Sequence, residues 1–174
     1  MHTIRKTSGI LIAVVLLSVH LQLLADESVN TIGYRLQTLE DREAIRNLLI
    51  EYGRTLDTRD FKAFSELFAR KVGEWDGGMG IAKGPEAIRK LMEETIGKNT
   101  GGINTPNFHI FSNETIDVKG DSAKAVSKWA FVVQDKDGKP QWVYLGHYND
   151  TLIREDGRWK FLLRRVTSDI PGEK

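Results

Sequence analysis

Between Leu39 and Leu56 the apolar residues Ile45, Leu48, Leu49, Tyr52 and Leu56 recur at i, i+3, i+4, i+7 and i+11, which is one face of a helix. Asp57-Thr58 breaks that pattern and can cap a second, short helix in which Phe61, Phe64, Leu67 and Phe68 keep helical spacing. A third helix opens at Gly84-Pro85-Glu86, where proline suits the first turn, and runs through Ile88, Leu91, Met92 and Ile96 to Gly97. The period then changes. Residues 107–118, 123–134, 141–154 and 158–167 are rich in β-branched and aromatic side chains and are separated by turns at Lys119-Gly120-Asp121, 135–139 and Glu155-Asp156-Gly157. They predict a four-stranded antiparallel meander, to which a short piece at 71–76 can add an edge strand. Helices grouped before strands predict an α+β architecture, with three helices packed on one face of a bent sheet. No repeat or linker interrupts residues 39–170, so one domain is expected there.

Upstream, Arg5 and Lys6 precede an apolar stretch from Gly9 to Val19, a polar break at His20, and Leu21–Ala25 before the acidic Asp26-Glu27. This is the pattern of a secretory leader over 1–25, followed by a polar spacer over 26–38. The apolar run is interrupted and shorter than the roughly 20 residues a membrane span needs, so an exported protein, periplasmic or secreted, with no stable span after leader removal is expected. The chain has 25 Lys and Arg against 24 Asp and Glu. Because Arg5 and Lys6 belong to the leader, residues 26–174 are nearly neutral and contain no basic run, which argues against nucleic acid as a partner. No cysteine is present, so neither a disulfide nor a lipidated N-terminus is available and the core must suffice. A chain of about 150 residues buries roughly 68–70% of its unfolded surface, which makes that feasible.

Several segments, in order, resemble one family. They are Tyr52-Gly53-Arg54-Thr55-Leu56-Asp57-Thr58-Arg59-Asp60 leading to Leu67-Phe68-Ala69, then Gly84-Pro85-Glu86-Ala87-Ile88, His109-Ile110-Phe111-Ser112-Asn113, Gly146-His147-Tyr148-Asn149-Asp150, and Asp156-Gly157-Arg158-Trp159-Lys160-Phe161 with Arg164. Over residues 38–169 the chain resembles the nuclear transport factor 2-like superfamily, in its SnoaL-like branch. The resemblance implies a strongly curved antiparallel sheet closed by three helices into a cone-shaped α+β barrel around a deep apolar pocket, and pairing of cones as homodimers. It does not imply one activity, because the cone hosts dehydratases, isomerases, cyclases and noncatalytic binding modules. By resemblance to scytalone dehydratase and lindane dehydrochlorinase, Asp57 would support His109 as a base, and Arg164 would match an assisting arginine of the dehydrochlorinase. The run from Gly78 to Glu86 resembles the same branch. Leu56 stands where scytalone dehydratase has a tyrosine, which departs from its water-assisted chemistry. Resemblance to ketosteroid isomerase instead puts Tyr52 at an oxyanion position and Asp76 near a base, without a counterpart for the buried carboxylic acid.

The residues themselves leave two readings open. A carboxylate on one nitrogen of His109 would fix its tautomer and leave the other nitrogen to take a substrate proton. His109 could equally be a core histidine satisfied by Asp57 or a backbone carbonyl. Asp57 could cap the second helix, in competition with Thr58 and Asp60. Strand parity groups Trp129 and Phe131 on one strand and Trp142 and Tyr144 on the next. With Tyr52 and Trp75 these would wall a cavity for a small apolar or cyclic molecule, or else simply fill the core. Trp159 and Phe161 suit ordinary core. Parity favours Arg164 over Arg165 as the inward arginine, to hold a developing anion or to pair with Asp57, Glu74 or Asp150. His147 belongs on the outer face. Gly77-Gly78-Met79-Gly80 lacks the context of a dinucleotide fingerprint, the histidines are too few and distant for a metal site, and no nucleophile elbow occurs. The expected function is therefore binding of a small apolar molecule, with cofactor-free dehydratase, eliminase or isomerase chemistry on Asp57 and His109 and with Arg164 or Tyr52 holding negative charge. The alternative is a noncatalytic ligand-binding or protein-association module of the same fold.

Overall fold

The computed structural model describes residues 5–97 and 106–171, with side chains from residue 29 onward. The leader expected over 1–25 thus falls outside the described side chains. Helix α1 spans Arg5–Asp57. Residues 26–38, a spacer by composition, are helical: they hold no proline and one glycine, and nothing in them terminates a helix. The chain divides into two compact units at Glu40 and Asp41. In the first, Val29, Ile32, Leu36 and Leu39 of α1 are exposed. Among the described residues, no helix is long and apolar enough to cross a membrane.

In the second unit, the rest of α1 is followed by α2 (Phe61–Ser65), β1 (Glu74–Gly77), β2 (Gly80–Lys83) and α3 (Pro85–Met92), which continues as one π-helical stretch over Glu93–Gly97. Four long strands complete it: β3 (Asn107–Lys119), β4 (Ser122–Gln134), β5 (Pro140–Glu155) and β6 (Arg158–Ile170). The long strands form the antiparallel meander that the β-branched segments predict. The sheet as a whole is mixed, with six strands ordered β2-β1-β6-β5-β4-β3. It curls without closing, since β2 and β3 remain as its two edges.

The curved α+β architecture is as expected, but the sheet is mixed and residues 74–76, expected on an edge, lie inside it as part of β1. The chain reaches β1 from α2 and not through a hairpin from β6, so it meets β6 in parallel, with Trp75 opposite Arg164. The parallel bridge of Phe68 to Phe161 starts that pairing. β2 then folds back on β1 through Gly77 and Gly80, and the φ of +132° at Gly80 accounts for the glycine-rich run as a hairpin turn.

The apolar stripe of α1 lies buried as its spacing predicts, Ile45, Leu49, Tyr52 and Leu56 packing with Phe64, Phe68, Ile88, Trp159 and Phe161. Each such large side chain contributes about 1.5–3 kcal/mol through burial. Asp41 fastens α1 to the β5–β6 hairpin, its Oδ1 accepting from Arg154 Nη2 at 2.7 Å and from Trp159 Nε1 at 3.2 Å.

Candidate active site

Asp57 closes α1, and its carboxylate is free to leave the helix because Asp60 performs the capping: Asp60 Oδ1 accepts from the Ala63 N–H at 3.0 Å. Across on β3, Asp57 Oδ2 accepts the backbone N–H of His109 at 3.0 Å, and Oδ1 lies 2.6 Å from His109 Nδ1. One carboxylate therefore fixes both the strand and the ring. Gly53 permits the approach of α1 to β3, since a Cβ there would stand 2.6 Å from the Phe111 ring and 3.3 Å from His109 Cβ. With Nδ1 held against a carboxylate, Nε2 is the nitrogen left to accept a proton.

His109 lies in the wall of a cavity of about 780 Å³, with Trp75, Trp129, Phe131, Tyr144 and Tyr148 among its other lining residues. The His109 and Phe131 rings are 4.7 Å apart. A second, smaller cleft of about 450 Å³ is lined by Asp57, Arg54 and Phe108, and His109 borders it as well. His109 thus stands between an aromatic chamber and a smaller, more open cleft, and Asp57 lines the latter.

The cavity wall includes Tyr52, Trp75, Trp129, Phe131 and Tyr144 from the sequence-derived set. Trp142 is not in it and is 60% exposed. The cause is a bulge: Phe131 pairs with Tyr144 but the next residue, Val132, pairs with Trp142, so Val143 is inserted into β5 and the alternation reverses. Val143 takes a place in the wall instead.

Arg164 is inward, as parity predicts, but it lies behind the wall and not in it. Its Nε and Nη2 donate to Asp150 Oδ1 and Oδ2 at 2.8 and 2.7 Å, a bidentate pair with no exposure on either side chain. Its guanidinium lies 4.0–4.2 Å from the ring centroids of Tyr52, Tyr148 and Phe161. Burial opposes its charge, yet Asp150 outweighs that and holds the guanidinium above its ordinary pKa. Tyr52 is similarly engaged: its hydroxyl oxygen accepts from Trp75 Nε1 at 2.9 Å, and burial raises its pKa despite Arg164 and Trp75. Asp76 pairs with Arg165 at 2.8 Å, which leaves it outside the cavity wall. His147 pairs with Asp169.

Arg59, Met79 and Asn107 also line the cavity, and none of them stands out in the sequence as a site residue. Arg59 sits in the turn between two helices, where periodicity carries no information. Its adjacency to Asp57 is the one available signal.

A curled sheet with an overlying helical layer around a chamber is the architecture of the nuclear transport factor 2-like cone. Within that class the chain belongs to the SnoaL-like domain family, whose profile matches residues 37–165. Among solved structures it is similar to a nuclear transport factor 2-like protein with a cystatin-like fold from Novosphingobium aromaticivorans, at 28% identity and a TM-score of 0.71, covering 79% of this chain and 88% of that one. A candidate scytalone dehydratase from the same organism is 27% identical, with a TM-score of 0.63 over 75% of this chain and 85% of the other. LinA, a dehydrochlorinase, shares the fold at 21% identity and a TM-score of 0.66, over 78% and 90% of the two chains. No curated protein sequence matches the chain.

Proposed function

We propose that this is an exported, cofactor-free lyase or isomerase that removes a carbon-bound proton from a small, cyclic, largely apolar substrate. The observation that supports this most is the 2.6 Å contact of Asp57 with His109 Nδ1 at the wall of an aromatic chamber. In this reading His109 Nε2 takes the proton, and Asp57 keeps the ring oriented and balances the imidazolium that forms. The electron pair left on carbon either expels a leaving group from the neighbouring carbon or moves onto a carbonyl oxygen as an enolate. Export rests on the leader pattern over 1–25 and is tested by the N-terminal sequence of the protein recovered outside the cytoplasm.

The same reading includes a homodimer formed through the outer sheet face. Its support is a row of cross-strand neighbours, Phe108 opposite Val132 and Val132 opposite Trp142, in which Phe108 and Trp142 are exposed large hydrophobics. Sedimentation of the wild type and of Trp142→Lys checks it.

The catalytic part is tested by NMR of the His109 ring, assigned with His109→Gln, during titration with cyclic apolar ligands. His109 signals that move with ligand and respond to Asp57→Asn sustain the proposal. A ring insensitive to both leaves a noncatalytic binding module.

A further inference from the structure

A cation in the cavity wall would stabilise negative charge on a ligand there, and Arg164 is committed to Asp150 behind the wall. Arg59 is the cationic side chain in the wall itself. Its backbone is left-handed, with φ of +60°, a conformation an arginine adopts at a cost and one concentrated at functional sites. The turn between α1 and α2 enforces it: the Arg59 N–H donates to the Leu56 carbonyl at 3.1 Å, and the Asp60 N–H donates to that of Thr55 at 2.9 Å. The side chain is folded back, Nη1 donating to the Leu56 carbonyl at 2.6 Å. Nε is buried without a hydrogen-bond partner among the described residues. Asp57, the carboxylate whose charge reaches Arg59, already has both oxygens on His109. Burial lowers the Arg59 pKa and Asp57 opposes that, but a guanidinium stays charged in proteins. The result is a partly buried cation, fixed beside the imidazole's carboxylate and unpaired among the described residues.

We propose that Arg59 is the anion-binding residue of the cavity, so that the ligand is amphipathic: an apolar ring against Trp129 and Phe131, with an anionic oxygen group, such as a carboxylate, on the Arg59 guanidinium. This rests on the cavity being the ligand site, as proposed above. It also assigns a direction to the substrate, because the anionic oxygen would lie at the α1–α2 turn, next to the residue that orients the base.

Calorimetric titration of the full chain with 2-naphthoate and its neutral isostere 2-naphthamide tests the assignment, in wild type, Arg59→Asn and Arg59→Lys. Asparagine tolerates the left-handed backbone and so preserves the turn, which circular dichroism verifies. The wild type is expected to bind the carboxylate about tenfold or more tightly than the amide, as a charge-assisted hydrogen bond in a partly buried site gives. Arg59→Asn is expected to bind both ligands with the affinity of the amide, and Arg59→Lys to retain part of the preference. Equal wild-type affinities, or a preference that survives Arg59→Asn, overturn the role of Arg59 while leaving the cavity as a ligand site. Failure of both compounds to bind overturns the cavity reading and this inference together.

Discussion

Asp57 binds His109 twice, with Oδ2 on the backbone N–H at 3.0 Å and Oδ1 on the ring Nδ1 at 2.6 Å. Ring and strand are therefore held by the same carboxylate, and the tautomer follows from it. In Asp57→Asn the side-chain amide can donate to Nδ1 and favour the Nε2–H form. Nitrogen-15 NMR of the neutral ring is expected to show the proton on Nδ1 in the wild type and on Nε2 in the variant. Against a turned-over substrate, the variant should lose on the order of 10²–10⁴ in rate.

Gly53→Ala separates helix propensity from site geometry. In an exposed helix the change stabilises by up to about 1 kcal/mol. Here the new Cβ would meet the Phe111 ring, itself stacked on Tyr148 at 5.5 Å, so the ring cannot simply swing aside. Urea denaturation should register a net loss of stability, and the His109 ring signals should shift with it.

The buried pair of Arg164 and Asp150 is expected to behave as a unit. Arg164→Met leaves a carboxylate uncompensated in the core and should cost about 3–5 kcal/mol, whereas adding Asp150→Leu should recover much of that loss. Denaturation of the two single variants and the double variant forms the cycle, and additive losses would contradict the coupling.

Trp129 is buried in the cavity wall, whereas the β5 bulge turns Trp142 out of it. Trp129→Ala should cost about 3–5 kcal/mol, and Trp142→Ala, at low protein concentration, no more than about 0.5 kcal/mol.

Burial raises the pKa of both Tyr52 and Tyr148, most strongly that of Tyr148. Their neutral forms are favoured by folding, so this contribution is fully present below the ordinary tyrosine value of about 10 and declines as pH rises through it toward the folded values. Tyrosinate absorbance from these two residues should appear together with alkaline unfolding, not before it.

The elements of the fold were legible because each depends on local spacing. The α1 stripe from Ile45 to Leu56 is buried by its 3.6-residue period, and turns rich in glycine and aspartate join the four long strands to one another. The expected neighbours Trp129, Phe131 and Tyr144 face one chamber because alternation holds along β4 and along the part of β5 that follows Val143. Asp57 and His109 are a different case, since 52 residues separate them. Their proximity was implied by family resemblance, and spacing alone left Asp57 open between helix cap and partner of His109.

What the amino-acid sequence determined by itself was the helical layer, the meander and the inward face of most strands, because these follow from the local alternation of apolar and polar residues. Only the tertiary structure decided the parallel entry of β1 beside β6, the reversal of Trp142 by one inserted residue, and the choice of Asp150 among three possible partners for Arg164. Cross-strand register places Asp150 directly opposite Arg164, while Glu74 pairs with Lys83 and Asp57 with His109. Each of these depends on which strands lie side by side and in what register, a property of packing between segments distant in sequence that no local period encodes.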